Sequence, residues 1–408
     1  MQDLYDVSYY FINRLNREHT RDFLRNDPFR TRMTILLGQR GVGKTTIIIQ
    51  YIAGQFELKK ESPLAMYLPA DHILIGKRSL YEIAQKFHES GGQLICFDEI
   101  HKYENWSQEL KSIHDTFPDL KVIASGSSVL KVQKGSHDLS RRAIVRYLPG
   151  LSFREYIVLK LGLALNPVSL DDIVINHRKI ALEVMEKFED ENVKVLSLFS
   201  DYLKKGYYPY FFQYKNKEDY FAALEQSVLA TIENDLPAVY LTITGAVINK
   251  IRRLLSFIAQ QVPFKPILSK LTSALDISDE RILKTYLKYL EDAEIINVLS
   301  KSGKRLSTLE KPEKIYLNNT NQSYAFGNQA VDKGNLRETF FLNAVLSGHD
   351  VTYPEAGDFN VNGMIFEIGG KNKTFDQIKH LKSSFLALDD VEVGFENTIP
   401  LWLFGFLH

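Results

Sequence analysis

Over the first third of this 408-residue chain, short apolar runs alternate with amphipathic stretches. Met33–Leu37 is an apolar run with the length of a buried strand, and residues 46–53 form a second run that can continue as a helix. Residues 64–68 read as another strand, 80–87 as a helix closed by Gly91 and Gly92, and 93–97 as a third strand. Residues 101–115 carry Trp106, Leu110 and Ile113 at helical spacing, and 121–124 form a further strand. Upstream, residues 7–23 set Tyr10, Phe11, Leu15 and Phe23 among charges, the pattern of a helix packed on a domain, before Asn26-Asp27-Pro28 breaks it. Strands alternating with helices predict an α/β fold with a parallel sheet and a ligand at the carboxyl ends of its strands.

Beyond residue 150 the rhythm changes. Residues 151–235 are dominated by helical patterns around the aromatic run Tyr207-Tyr208-Pro209-Tyr210-Phe211-Phe212. Such a run can stack bases, but packing is the favoured reading. Residues 247–260 predict a helix with Ile251, Leu254, Leu255 and Ile258 inward; Pro263 and Pro266 interrupt the chain, and 267–275 form a second helix. Ser278 is the expected cap of a third, 279–293, with Ile282, Leu283, Tyr286, Leu287 and Leu290 buried. A strand at 294–299 and a basic turn at 301–312 complete the pattern of a winged helix. On the third helix Arg281, Lys284 and Lys288 are offset by Asp279, Glu280, Glu291 and Asp292, so only the segment with Lys301, Lys304, Arg305, Lys311 and Lys314 is clearly basic. Duplex DNA held through backbone contacts is the expected partner of this region, ahead of a protein partner.

Composition narrows the class. Lysine plus arginine equals aspartate plus glutamate at 50 each, so no global field draws the chain to nucleic acid or membrane. The single cysteine, Cys96, excludes an intrachain disulfide and suits a reducing compartment. Without a leader-like segment or a long uninterrupted apolar run, the chain is expected to be soluble and cytoplasmic.

The first strand and helix flank Gly38-Gln39-Arg40-Gly41-Val42-Gly43-Lys44-Thr45, which fits G-x-x-x-x-G-K-S/T in the context its chemistry requires. Glycines let successive backbone N–H groups turn toward a phosphate at a helix N-terminus. Gly38 to Thr46 are therefore the expected nucleotide-binding residues, with Lys44 on the outer phosphates and Thr45 on Mg²⁺. The strand at 93–97 ends in Asp98-Glu99, the pattern of a Walker B strand, with Asp98 expected to hold Mg²⁺ and Glu99 to orient attacking water. Ser125, at the end of the next strand, is either a sensor of the γ-phosphate or an ordinary strand-to-turn serine.

The run from Asp98 to Ser128, followed by Leu139-Ser140-Arg141-Arg142 and by Leu151-Ser152-Phe153-Arg154-Glu155-Tyr156, resembles a prokaryotic family of AAA+-type P-loop ATPases. These are related to the origin-recognition and signal-transduction ATPases, and many carry a nuclease-like C-terminal domain. Two positions depart from the family pattern: Gln39 stands where proline is frequent and Ser125 where threonine is usual. The resemblance implies ATP as the nucleotide, a helical lid after the core, and an arginine finger at Arg142, preferred over Arg141, acting within a homo-oligomer. The last segment, with Glu338, Asp358 and Phe366-Glu367-Ile368-Gly369-Gly370-Lys371, is similar to the restriction-endonuclease-like core, where a helix glutamate, a strand aspartate and an E-x-K strand bind metal. Here Gly369 takes the lysine position, leaving Lys371 as the candidate and a degenerate site as the favoured reading. The expected domains are a P-loop ATPase core (1–156), a helical lid and linker (157–244), a winged helix (245–315) and a nuclease-like domain (316–408). Two functions follow as expectations: an ATP-driven switch passing its state to a DNA- or protein-binding module, or a metal-dependent DNA nuclease regulated by its ATPase core.

Overall fold

The computed structural model describes the chain apart from residues 15–18, 58–62, 77, 128, 130–138, 140, 190–192, 262–264, 302–310, 328–330 and 408. Leu15, Ser128, Ser140, Pro263, Lys304 and Arg305, all used in the sequence reading, lie outside the described residues. The chain divides into two compact units, one of Met1–Pro149 with Glu233–Ile243, the other of Gly150–Ile232 with Thr244–His408.

The first unit is built on a five-stranded parallel sheet of β1 (Met33–Leu37), β2 (Ala65–Pro69), β3 (Leu94–Asp98), β4 (Lys121–Gly126) and β5 (Ile144–Tyr147). Their order is β2-β3-β4-β1-β5. Strands β1 and β3 are buried along their whole length, which is why they read as continuous apolar runs rather than as alternation. The helices α1 (Gln2–Arg14), α2 (Lys44–Gln55), α3 (Leu80–Glu89) and α4 (Trp106–Thr116) belong to the same unit. Leu4 and Tyr5 of α1, Ile83 and Phe87 of α3, and Trp106, Leu110 and Ile113 of α4 join Ile35, Met66, Ile95, Phe97 and Val122 of the sheet in one apolar core. Helix α1 starts five residues before the expected stretch, because Leu4 and Tyr5 are core residues. Ser79 and Glu82 close α3 with a reciprocal capping box. The order of the sheet places β4 between β1 and β3, so the strands that end at the glycine loop, at Ser125 and at Asp98 finish side by side.

The second unit contains helices Phe153–Leu161, Leu170–Glu189, Val195–Lys205 and Lys217–Ala230. Then come Gly245–Gln261, Leu268–Leu275 and Glu280–Asp292, and the antiparallel pair β6 (Ile296–Leu299) and β7 (Lys314–Leu317). The third of these helices is capped by Asp279 rather than Ser278, since the Asp279 carboxylate accepts both Arg281 N–H (2.8 Å) and Ile282 N–H (2.9 Å). The turn between β6 and β7 falls largely on undescribed residues. A mixed sheet follows: β8 (Val351–Thr352), β9 (Phe359–Val361), β10 (Met364–Gly370), β11 (Ser384–Asp389) and β12 (Thr398–Pro400), ordered β12-β11-β10-β9-β8. Helix Lys333–Leu346 lies on it through Phe341, whose ring is 5.2 Å from those of Phe359 and Phe366.

Polar side chains also hold this unit. Tyr207, Tyr208 and Phe211 of the aromatic run are buried, and the Tyr208 hydroxyl accepts from Asn319 (3.0 Å) and Gln322 (3.2 Å). Asn321, fully buried, accepts from Tyr207 N–H and the Tyr220 hydroxyl (2.9 Å each) and donates to the carbonyls of Tyr202 (3.2 Å) and Leu203 (3.0 Å). Leucine has a similar volume and none of these bonds, so Asn321→Leu leaves several buried groups unpaired. We expect it to destabilise the second unit by about 3 kcal/mol, read as a lowered urea midpoint.

Candidate functional site

The carboxyl ends of β1, β3 and β4 bring the sequence-predicted residues of the first unit together. The loop after β1 turns through Gly41 (φ 83°) and Gly43 (φ 98°), both in the left-handed region that glycine tolerates. Gly38 is fixed by space, since a Cβ there would sit 2.5 Å from the Leu148 carbonyl oxygen. Gly43 ends the loop at the N-terminus of α2, which has no side-chain cap, so its first N–H groups face the loop without a side-chain acceptor. Val42 is buried, and Arg21 donates to its carbonyl (3.1 Å) and to that of Pro149 (2.8 Å), bracing the loop from below. Lys44 is buried and its Nζ donates to the carbonyls of Gly38 and Gln39, 3.0 Å each, folding the ammonium over the cradle. Thr46 follows in the first turn of α2, half-buried.

Asp98 is the convergence point. Its buried carboxylate accepts from the Thr45 hydroxyl (2.5 Å), the Tyr67 hydroxyl (2.6 Å), the Ser125 hydroxyl and the N–H of Glu99 (3.1 Å). Burial, reinforced by Asp98, pushes the Tyr67 phenol far above its usual range, so it remains a donor. Thr45 and Asp98 therefore present adjacent oxygens, a donor set suited to a hydrated Mg²⁺. Ser125 has a second tie: it accepts the Glu99 N–H at 3.2 Å. Glu99 sits at φ 53°, a left-handed conformation costing on the order of 1 kcal/mol for a non-glycine residue. Its carboxylate lies 3.9 Å from Lys44 Nζ and 3.6 Å from His101 Nε2.

One contributor carries no local signal in the sequence. The segment Glu233–Ile243 belongs to this unit, and its Asp235 grips Arg40 of the phosphate loop with both oxygens, at 3.0 and 2.5 Å. Asp235 is also 3.5 Å from His101 Nε2. Burial works to raise the Asp235 pKa, but His101 and Arg40 outweigh it and hold the carboxyl below its usual range. Tyr67 was missed as well; a tyrosine in an apolar strand carries no signal of the carboxylate it will meet. Arg142 is paired with Asp115 of its own chain at 2.7 and 2.8 Å.

In the second unit, Glu338, Asp358 and Glu367 share one end of the mixed sheet, but the lysines beside them are not the expected one. Lys314 of β7 donates to Glu338 (2.9 Å) and Asp358 (3.2 Å), and Lys373, not Lys371, pairs with Glu367. The Tyr316 hydroxyl adds a bond to Glu338 (2.8 Å), and Ile368 N–H one to Asp358 (2.9 Å). Burial lowers the Lys314 pKa, yet the two carboxylates outweigh it and raise the net value; burial and Asp358 raise that of Glu338. Burial likewise raises Glu367. Gly369 faces the Lys373 side chain, where a Cβ would come within 2.5 Å of it. Among the described residues no three His, Cys, Asp or Glu side chains are grouped as a metal site. Asn216-Lys217-Glu218-Asp219 matches the guanine-reading pattern N-K-x-D by letter. It serves here as a helix cap, Asn216 accepting Asp219 N–H and donating to its carboxylate at 2.8 Å each.

Residues 30–157 match the family described as an AAA domain, and residues 196–322 match a domain of unknown function. The five-stranded parallel α/β core of the first unit lies within the matched stretch and has the fold of a P-loop core of AAA type. No curated protein matches the chain. Among solved structures, the chain is similar to the Aeropyrum pernix ORC1 protein, solved in complex with DNA, at 12% identity and TM-score 0.31 over 79% of this chain and 97% of that one. It is similar also to a structure described as the basis for katanin self-assembly, at 15% identity and TM-score 0.24 over 48% and 70%. The fold and site described above do not depend on these two likenesses.

The Asp235 pair carries a pH signature. A carboxyl held below its ordinary value of 3.8 contributes stability that is present above that value and is lost as the pH falls below it. Asp235→Asn is expected to flatten the acid limb of stability below pH 3.8, measured as melting temperature across a pH series.

Proposed function

We propose that the first unit binds MgATP and hydrolyses it, and that the state of the site is passed to the second unit as a switch. The observation that carries this reading is the meeting of Thr45, Asp98, Glu99 and Ser125 beside an uncapped helix N-terminus behind a left-handed glycine loop. In this reading the loop N–H groups and Lys44 hold the β- and γ-phosphates, with Lys44 exchanging two carbonyl partners for phosphate oxygens. Mg²⁺, held by Thr45 and Asp98, would neutralise charge on the β- and γ-phosphates. Glu99 orients the attacking water and takes up its proton, and the Ser125 hydroxyl, already tied to the Asp98 carboxylate and the Glu99 N–H, is placed to report on the γ-phosphate. Adenine over guanine is what the family resemblance implies, and competition between ATP and GTP tests it.

Arg142 as a finger toward a neighbouring subunit requires release of Asp115, so we place its action in an oligomer formed with nucleotide bound. The partner of the second unit we propose to be duplex DNA. Support comes from Arg252 and Arg253, exposed on helix Gly245–Gln261 and lining an open groove with Asn249, Ser256 and Gln260. Lys44→Ala is expected to weaken ATP binding at least about 100-fold, and Glu99→Gln to retain binding while lowering turnover about 100-fold. Both are measured by nucleotide titration and phosphate release, with and without duplex DNA; turnover that DNA leaves unchanged assigns the second unit to a protein partner.

For the C-terminal sheet we propose a binding role without cleavage, because Lys314 and Lys373 neutralise the carboxylates a nuclease would use for metal. No Mg²⁺- or Mn²⁺-dependent nicking of plasmid DNA is expected. Nicking that disappears in Asp358→Ala would instead establish the nuclease.

A further inference from the structure

His101 lies three residues beyond the Walker B aspartate and has no place in the scheme above, yet its ring is 4% exposed and faces the centre of the site. Ser127 N–H points at its Nδ1, 3.4 Å away. A backbone N–H can only donate, so Nδ1 is the acceptor and the ring proton of the neutral imidazole resides on Nε2. That Nε2 is buried without a hydrogen-bond partner. Two carboxylates stand just beyond bonding distance of it: Glu99 Oε2 at 3.6 Å and Asp235 Oδ1 at 3.5 Å. A buried N–H left unpaired is costly, and here a small ring rotation would satisfy it on either side. The other oxygen of Glu99 faces Lys44 Nζ at 3.9 Å, an attraction that ends once phosphate takes the lysine. His101, 3.6 Å away, is then placed to fix the direction of Glu99.

We propose that His101 is the positioning residue for Glu99. Its Nε2–H turns from the side of Asp235 onto the Glu99 carboxylate when nucleotide occupies the phosphate loop, aiming the other carboxylate oxygen at the water. Asp235, anchored by Arg40, is the competing acceptor that keeps His101 off Glu99 in the absence of nucleotide, so a residue of the downstream segment sets when the base is aligned. This rests on the reading of Glu99 as the residue that activates water. It adds that the alignment is supplied by the chain itself, by a histidine shared between two acids.

The test is steady-state ATP hydrolysis by the full chain carrying His101→Phe, which keeps the ring volume without an N–H, and His101→Gln, which keeps an N–H. His101→Phe should lower kcat about tenfold or more with KM for ATP unchanged, and His101→Gln should recover a large part of the loss. In a Glu99→Gln background His101→Phe should cause no further loss, because the two act as one unit. Wild-type kcat in His101→Phe, or a loss that adds fully to that of Glu99→Gln, overturns the assignment while leaving the ATPase reading intact. A wild-type chain that binds ATP and does not hydrolyse it overturns both. A fall in ATP affinity equal in the Phe and Gln variants would show a structural role instead and overturns the assignment too.

Discussion

One buried carboxylate organises the nucleotide-binding end of this protein. Asp98 takes hydroxyl groups from α2, β2 and β4 and a backbone N–H from its own strand end. A buried charge is tolerated only when its lone pairs are filled, so four donors from four places in the sequence must arrive together. That requirement sets the mutual height of the strands, and with it the position of the phosphate loop above β1. Glu99 inherits its place from the same requirement: the N–H that bonds Asp98 and Ser125 is its own, and the left-handed turn follows from donating it back toward the strand.

How much of this could be read from sequence depends on how local the cause was. The glycine loop, the carboxylate pair and the serine at the next strand end are local, and each strand of the core except β5 announced itself by an apolar run. What sequence could not convey were partners delivered by tertiary structure. Asp235 meets Arg40 across 195 positions, and nothing around Leu236 or Pro237 marks the residue before them as part of a phosphate loop. Lys314 read as a basic wing residue and is instead the cation between Glu338 and Asp358. The E-x-K spacing rule sent attention to Lys371, two residues short of the lysine that pairs with Glu367.

The C-terminal sheet was hard to read for a different reason. Its strands β8, β9 and β12 are two or three residues long, too short for a period of two to show. The run Asn318-Asn319-Thr320-Asn321-Gln322-Ser323 has the composition of a solvated loop and is buried throughout. The amides of Asn319, Asn321 and Gln322 face backbone groups or tyrosine hydroxyls, and that of Asn318 faces the amides of Asn297 and Asn319, so polarity here marks a place where buried main chain is satisfied by side chains rather than by a ladder.

The discontinuity of the first unit bears on its birth. Its sheet is complete once Pro149 has been made, but Asp235 and the segment to Ile243 belong to it as well. The 83 residues of Gly150–Ile232 must be synthesised in between, roughly 4–17 s of translation at ordinary rates. During that interval Arg40 and His101 exist without their acid. A nascent chain can therefore build the core and the glycine loop while the Arg40–Asp235 pair is still open, and that pair closes only after the ribosome has passed residue 235.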